Sequence, residues 1–387
     1  DPLRPHEYRP DIDGLRAIAV VSVVLYHLIG SWLPGGYLGV DIFFVISGYL
    51  ITGFVLDQQR TGTFNLGTFY ARRIRRIIPA CAAIVAFSLV AGAILLFPDD
   101  YVALANSAAN QQLMVSNVFF WKTLDYFGSA GEFKPLLHTW SLAVEEQFYL
   151  GYPLLLAVLA WTPRRMAATI LSILLVGSLA LSEWGVADHR DATFFLLPTR
   201  AWELLLGGML WYLPGRFVPA FATAEIAGIS GLVMILVAAF RFHAQSRFPG
   251  VAALLPCGGA ALLIAANTRR LTLVGRSLAF EPVVFVGLLS YSLYLWHWPV
   301  LAFARHRYYG CFSPWTAAQA LLLSLPIAWL SWRYLETPLR QSVGWARPRW
   351  VLCGIITTIP ILLVSSFLVI RSDGLPERCT QSVRDIL

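Results

Sequence analysis

Arg16, His27 and Asp41 interrupt two apolar runs in DIDGLRAIAVVSVVLYHLIGSWLPGGYLGVDIFFVISGYL, residues 11–50. An ionisable side chain at bilayer depth costs a few kcal/mol on insertion scales and about 10 or more in simulation, so such side chains face a bundle interior or a wet cavity. Arg16 and His27 are eleven residues apart. At about 100° and 1.5 Å per residue they fall within about 20° of one helical face, about 16 Å apart. One wall of a span would then carry a guanidinium near one surface and an imidazole near mid-membrane. A neutral imidazole in that place can take a proton from a hydroxyl; a packing histidine bonded to a neighbouring helix is the alternative.

Other constellations stand further along. In HTWSLAVEEQFYL, His138, Glu145 and Tyr149 lie within about 40° of one another on a helix. A carboxylate there can orient an imidazole or take up a proton, whereas a structural one would only bridge helices. FYARRIRRIIP sets Arg72, Arg73, Arg75 and Arg76 over about 160° of a helix, forming either guanidinium forks for phosphate or a topology anchor. PTRAWELLLGG places Arg200 three residues before Glu203, able to pair on one face; a buried ion pair and a substrate contact are both open. SYSLYLWHWP puts Ser290, Tyr294 and His297 on one stripe. Ser290 and His297 are about 10 Å apart along the axis, too far for a nucleophile–base pair within the helix. Trp296 and Trp298 read as an aromatic belt or as a platform for sugar rings.

The elements that must hold these residues are membrane spans. Of 387 residues, 57% are hydrophobic and only 13% charged, with a mean hydropathy of +0.64. That composition predicts an all-α, polytopic transmembrane helical bundle. Runs long enough to cross the bilayer extend from 16–35 to 350–370 and suggest about 11 spans. With the N-terminus cytoplasmic, the inner loops collect most of the arginines, as the positive-inside rule requires, and an odd span number puts the C-terminus in the periplasm. The net charge of +7 is spread over these loops, so it reports topology and no nucleic-acid partner. The five cysteines form no CxxC pair, which argues against a metal site or a disulfide scaffold. Cys311 and Cys379, on the outer side, are expected either to pair or to leave Cys379 awaiting a partner. Residues 98–138 form the long outer connection, expected to hold an interfacial helix and a lid. The opening DPLRPHEYRPDIDG has no signal-peptide order, so the numbering is expected to start just inside the natural N-terminus.

In these motifs the chain resembles the acyltransferase-3 family of integral membrane acyltransferases, in the branch that modifies bacterial surface polysaccharides and often carries a C-terminal SGNH domain. The resemblance runs through RPDIDGLRAIAV, VVLYH, GGYLGVDIFFVISGYLIT, FYARRIRRIIP, HTWSLAVEEQFY, PTRAWELLLG, LSYSLYLWHWP and YLETPLR. It implies a membrane acyltransferase domain over 1–335, a cytoplasmic loop and eleventh span over 336–370, and a periplasmic tail over 371–387; any SGNH domain would lie beyond residue 387. It implies a bacterial inner-membrane enzyme that transfers an acetyl or other short acyl group from cytoplasmic acetyl-CoA to a hydroxyl of a surface glycan such as O-antigen, peptidoglycan or exopolysaccharide. His27 matches the family's essential histidine and Arg16 its paired arginine. Arg73 and Arg76 fit its cytoplasmic Arg-x-x-Arg motif, as do Arg72 and Arg75, and Glu336 and Arg340 fit the motif after the tenth span.

The mechanism expected from both readings holds the donor's phosphates on Arg16 and the cluster Arg72, Arg73, Arg75 and Arg76. The thioester then lies at His27, which acts as general base or takes the acyl group first. Glu145 assists proton transfer, and Asp41, His138, Tyr149, Arg200, Tyr294 and His297 contact the acceptor. No metal is required. Intramembrane His, Glu and Arg also suit a proton-coupled glycan or lipid transporter, the competing class; a non-enzymatic scaffold explains the spans but not the placement of His27.

Overall fold

The computed structural model describes residues 8–30, 32–124, 129–213, 221–308, 311–340 and 349–378, and among these the chain is all-α. Its helices are α1 (Pro10–Leu28), α2 (Gly39–Arg60), α3 (Leu66–Leu95), α4 (Pro98–Gln112), α5 (Ser116–Thr123), α6 (Thr139–Leu159), α7 (Arg164–Asp188) and α8 (Arg190–Phe195). They continue as α9 (Leu197–Met209), α10 (Phe221–Arg241), α11 (Leu254–Ala266), α12 (Leu273–Leu278), α13 (Glu281–Arg307), α14 (Pro314–Leu330), α15 (Thr337–Arg340) and α16 (Arg349–Arg371).

Seven stretches among the described residues are long and apolar enough to cross a membrane: Gly36–Arg60, Leu66–Leu95, Thr139–Leu159, Arg164–Asp188, Thr223–Arg241, Glu281–Arg307 and Leu352–Arg371. The chain is a multi-pass membrane protein. Two of the other apolar runs are interrupted and a third carries charges. The run 194–213 is broken where Leu196 is extended (φ −93°, ψ 142°) just before Pro198, which leaves α9 with 13 residues. The run 249–267 begins as a 3-10 turn, Gly250–Ala253, after Pro249, so α11 also has 13 residues. Helix α1 carries Asp11, Asp13 and Arg16 in its first two turns. A hydropathy window averages over such breaks and charges.

Contacts divide the chain into two compact units, Asp1–Leu66 with Val144–Tyr291, and Gly67–Ala143 with Ser292–Leu387. In the first, α2 and α9 run parallel. Asp41 meets Arg200, Gly48 meets Leu204, and the Trp211 indole donates to the Tyr49 carbonyl at 2.8 Å. The α2 positions that face α9 recur at helical spacing, as Asp41, Val45, Gly48 and Thr52, all buried. The two backbones touch because neither carries a side chain at the crossing: a Cβ on Gly48 would stand 1.7 Å from the Leu204 oxygen, and one on Gly207 would stand 1.9 Å from the Val45 oxygen. Gly48→Val is therefore expected to lose about 3 kcal/mol or more, read as a collapse of monodisperse protein in detergent. Gly151→Ala, where an added Cβ meets nothing within 4 Å, should assemble at least as well as the parent.

In the second unit α4 packs against α16. The connection 98–138 is largely helical: Pro98 opens α4 with Asp99 and Asp100 in its first turn, the arrangement that suits a helix N-terminus, and α5 follows. Residues 125–128 lie outside the described residues. Beyond them, the Trp298 indole donates to the Lys134 carbonyl (2.8 Å) and Arg305 pairs with Glu132 (3.3 Å), pinning the stretch before α6 to α13. Arg378 donates to the carbonyls of Ala93 and Leu96 and lies 4.8 Å over the Tyr101 ring, so a guanidinium caps the C-terminal end of α3.

Candidate active site

Helix α1 carries Arg16 and His27 as the spacing requires and closes at Leu28, so the imidazole lies in the last helical turn. The chain leaves the helix at Ile29 (φ −142°, ψ 70°). His27 is half-buried and its ring contacts Tyr26 at 5.2 Å between centroids. At the other end of the wall, the Arg16 guanidinium donates to Asp13 at 2.8 Å, one turn earlier. A guanidinium keeps its charge at any working pH and offers donors in a fork that suits an anion.

Glu145 and Tyr149, one turn apart on α6, are joined through a residue of α2. The Tyr149 hydroxyl donates to Ser47 Oγ (2.8 Å), and Ser47 Oγ donates to Glu145 Oε1 (2.7 Å). This is a phenol–hydroxyl–carboxylate chain along which a proton can move without heavy-atom displacement. Ser47 is the residue that sequence reasoning missed. Its only signal is a single serine inside FFVISGYL, and a serine in an apolar helix ordinarily bonds the carbonyl one turn back.

Asp41 and Arg200 are brought together at the start of the α2–α9 crossing. Arg200 forms ion pairs with Asp41 (Nη2 to Oδ1, 3.0 Å) and Glu203 (Nη1 to Oε1, 2.9 Å), and all three side chains are at most 1% exposed. The guanidinium carbon sits over the rings of Phe44, Phe194 and Phe248 at 5.4, 5.5 and 5.7 Å. The ligand atoms of Asp41, Glu203 and Cys257 lie within 4.8 Å of one another. The place of a cation among them is filled by Arg200, whose charge opposes a metal ion.

In the other unit His138, Tyr294 and His297 form a buried triangle, with ring centroids 5.6, 5.7 and 6.1 Å apart. His138 lies one residue before α6 and is only 3% exposed, so it is buried within the protein. The Tyr294 hydroxyl donates to the His138 carbonyl (3.0 Å) and shares a 2.6 Å hydrogen bond with Ser141 Oγ. Arg72, Arg73, Arg75 and Arg76 occupy the second and third turns of α3; Arg73 lies 5.6 Å over the Phe69 ring, and the buried Nε of Arg75 has no acceptor among the described residues. Glu336 accepts hydrogen bonds from Ser292 and Ser331 within a π-helical turn, Ser331–Glu336. Cys379, and with it the expected pairing to Cys311, lies outside the described residues, as does the side chain of Arg340.

Comparison with known proteins places these arrangements in a family. Residues 9–333 match the family model described as an acyltransferase domain. O-acetyltransferase OatA of Staphylococcus aureus strain NCTC 8325 / PS 47 is 34% identical over 350 residues, covering 87% of this chain and 58% of the relative. OatA of strain COL matches with the same figures. This chain therefore spans somewhat more than half the length of the relatives it matches. No solved structure matches. With that match extending over most of the chain and taking in the motifs that carry the geometry above, the chain belongs to the acyltransferase-3 family of membrane proteins.

Proposed function

We propose that this protein is a membrane O-acyltransferase that moves an acetyl, or other short acyl, group from cytoplasmic acyl-CoA to a hydroxyl of a cell-surface glycan. The observation that carries this reading is the single face of α1 that presents Arg16 and a half-buried His27, in a chain whose relatives are named O-acetyltransferases. The acceptor oxygen attacks the thioester carbonyl as an imidazole nitrogen of His27 takes its proton. The carbon–sulfur bond breaks and the proton passes to the departing thiolate, leaving the ester and free CoA thiol. Transfer through an acyl-histidine divides the same change into two steps.

The Ser47–Glu145–Tyr149 chain supplies or drains the proton. Arg16 and the guanidinium groups of Arg72, Arg73, Arg75 and Arg76 are assigned to the donor's phosphates on charge and fork geometry. CoA is too highly charged to enter hydrocarbon cheaply, so an acyl carrier confined to one face and an acceptor on the other is the division of labour these residues serve. His138, Tyr294 and His297 are assigned to the acceptor, since buried aromatic and imidazole groups suit a sugar's hydroxyls and ring faces.

The test uses purified protein in sealed vesicles with acetyl-labelled acetyl-CoA on one side and glycan on the other. Label in the glycan ester is expected. Movement of unmodified glycan across the vesicle wall with no ester formed would instead support the transporter reading and remove this one. In the same assay Ser47→Ala, which breaks the hydroxyl link between Tyr149 and Glu145, should lower turnover about tenfold, less than the roughly 10² to 10⁴ that a general base itself contributes. The acetyl-CoA KM should stay unchanged.

A further inference from the structure

The fully buried Arg200 triad is the most costly feature of the first unit, and the transfer mechanism above gives it no task. Two carboxylates and one guanidinium removed from water are rarely a net gain over apolar residues of similar volume, so stability is a poor reason for them. Their neighbours suggest another. Arg200 stacks on Phe248, which is 0% exposed. Phe248 meets Tyr37 edge-on (5.3 Å, 84°), Tyr37 meets Tyr26 (5.3 Å, 64°), and Tyr26 meets His27 (5.2 Å). The rings thus form an unbroken series from the ion triad to the imidazole.

Each link is held from outside the series. Asp41 and Glu203 fix the plane of the guanidinium from two helices. Arg190 donates to the Ala244 and Ser246 carbonyls, tying down the loop that bears Phe248. The Gly35 amide donates to the Ala239 carbonyl (2.8 Å), and the Tyr37 hydroxyl lies 3.4 Å from the His243 carbonyl, which seats the turn between α1 and α2. His27 is the group that needs this support, because it stands in the last turn of α1, where the helical hydrogen-bond ladder stops. A reacting group must be held to within about 0.5 Å of its productive place.

We propose that Arg200, clamped by Asp41 and Glu203, is a positioning residue for His27 and acts through Phe248, Tyr37 and Tyr26. This inference rests on His27 being the reacting imidazole. It assigns Asp41 and Arg200 to the support of the site in place of direct acceptor contact, in keeping with exposures of 1% each.

The test removes rings and leaves the ion triad intact, since breaking the triad itself endangers folding. Phe248→Leu and Tyr37→Leu should each lower kcat for acetyl transfer about 10- to 100-fold, the cost of a displacement near 1 Å at a reacting group. KM for acetyl-CoA should move less than about twofold, and Tyr37→Phe, which keeps the ring, should restore the parent kcat. Arg200→Lys keeps the charge but loses the planar fork, and should also lower kcat. Combined with Tyr37→Leu it should cost little more than either change alone, because residues acting in one series are not additive. Parent-like kcat in properly assembled Phe248→Leu and Tyr37→Leu proteins, or full additivity in the double variant, would overturn the proposal while leaving the role of His27 standing. Transfer surviving in His27→Asn would overturn both.

Discussion

His27→Asn abolishes acetyl transfer to glycan in the vesicle assay while the protein assembles as before. Asparagine approximates the size of an imidazole and keeps a hydrogen-bonding amide, but it has no basic nitrogen and no nucleophile. A general base contributes about 10² to 10⁴ in rate; if the imidazole also carries the acyl group, the loss is complete. The change falls on a half-buried side chain at a helix end, away from core packing and from the ion triad, so stability should shift by no more than about 0.5 kcal/mol. Thermal unfolding and size-exclusion profiles that match the parent, together with transfer at background, are the expected pair. A single-turnover experiment without acceptor separates the two chemical routes: label on a His27 peptide of the parent marks an acyl-histidine, and its absence with normal transfer marks direct attack. Transfer retained in the variant would remove His27 from the mechanism.

What the sequence made legible follows the range of the interactions involved. The Arg16–His27 face could be read because both residues lie on one helix, where spacing alone fixes the angle between them. The Arg200–Glu203 pair could be read for the same reason, as two residues one turn apart. Asp41 joins that pair from α2, and nothing local to DIFFVISGYL states that the carboxylate will meet an arginine from a helix far along the chain. The small residues that permit the meeting, Gly48 and Gly207, are visible in ISGYL and LLLGG only as glycines in apolar helices. The end of α1 was hidden because the apolar run continues past it: LIGSWLPGG is hydrophobic enough to extend a span by composition, yet the backbone leaves the helix at Ile29. The burial of His138 was hidden in the same way, since a histidine at the polar end of an apolar run gives no sign that Tyr294 and His297 will close over it.

Arg200→Met is expected to be the most destructive single change in the molecule, and the reason lies in what it leaves behind. The guanidinium is the partner of two carboxylates that have essentially no exposed surface, and its removal strands them facing one another in an apolar setting. Breaking a buried pair by deleting one partner costs about 3–5 kcal/mol, and here two carboxylates lose their counter-charge at once, so little assembled protein should be recovered from membranes. Replacing all three residues together, as Asp41→Leu, Arg200→Met and Glu203→Leu, removes the stranded charges and should bring assembly back to near the parent, because apolar groups of similar volume commonly substitute for a buried ion cluster without loss. Turnover should not return with it. The three rings around Arg200 would then rest on a flexible thioether in place of a flat guanidinium held from two sides, and the series that ends at His27 would lose its fixed end. Assembled protein with parent-like kcat in the triple variant would make the triad a fold element only. Assembled protein with kcat lowered at unchanged KM separates the cost of folding from the placement of the imidazole, which a stability measurement alone would confound.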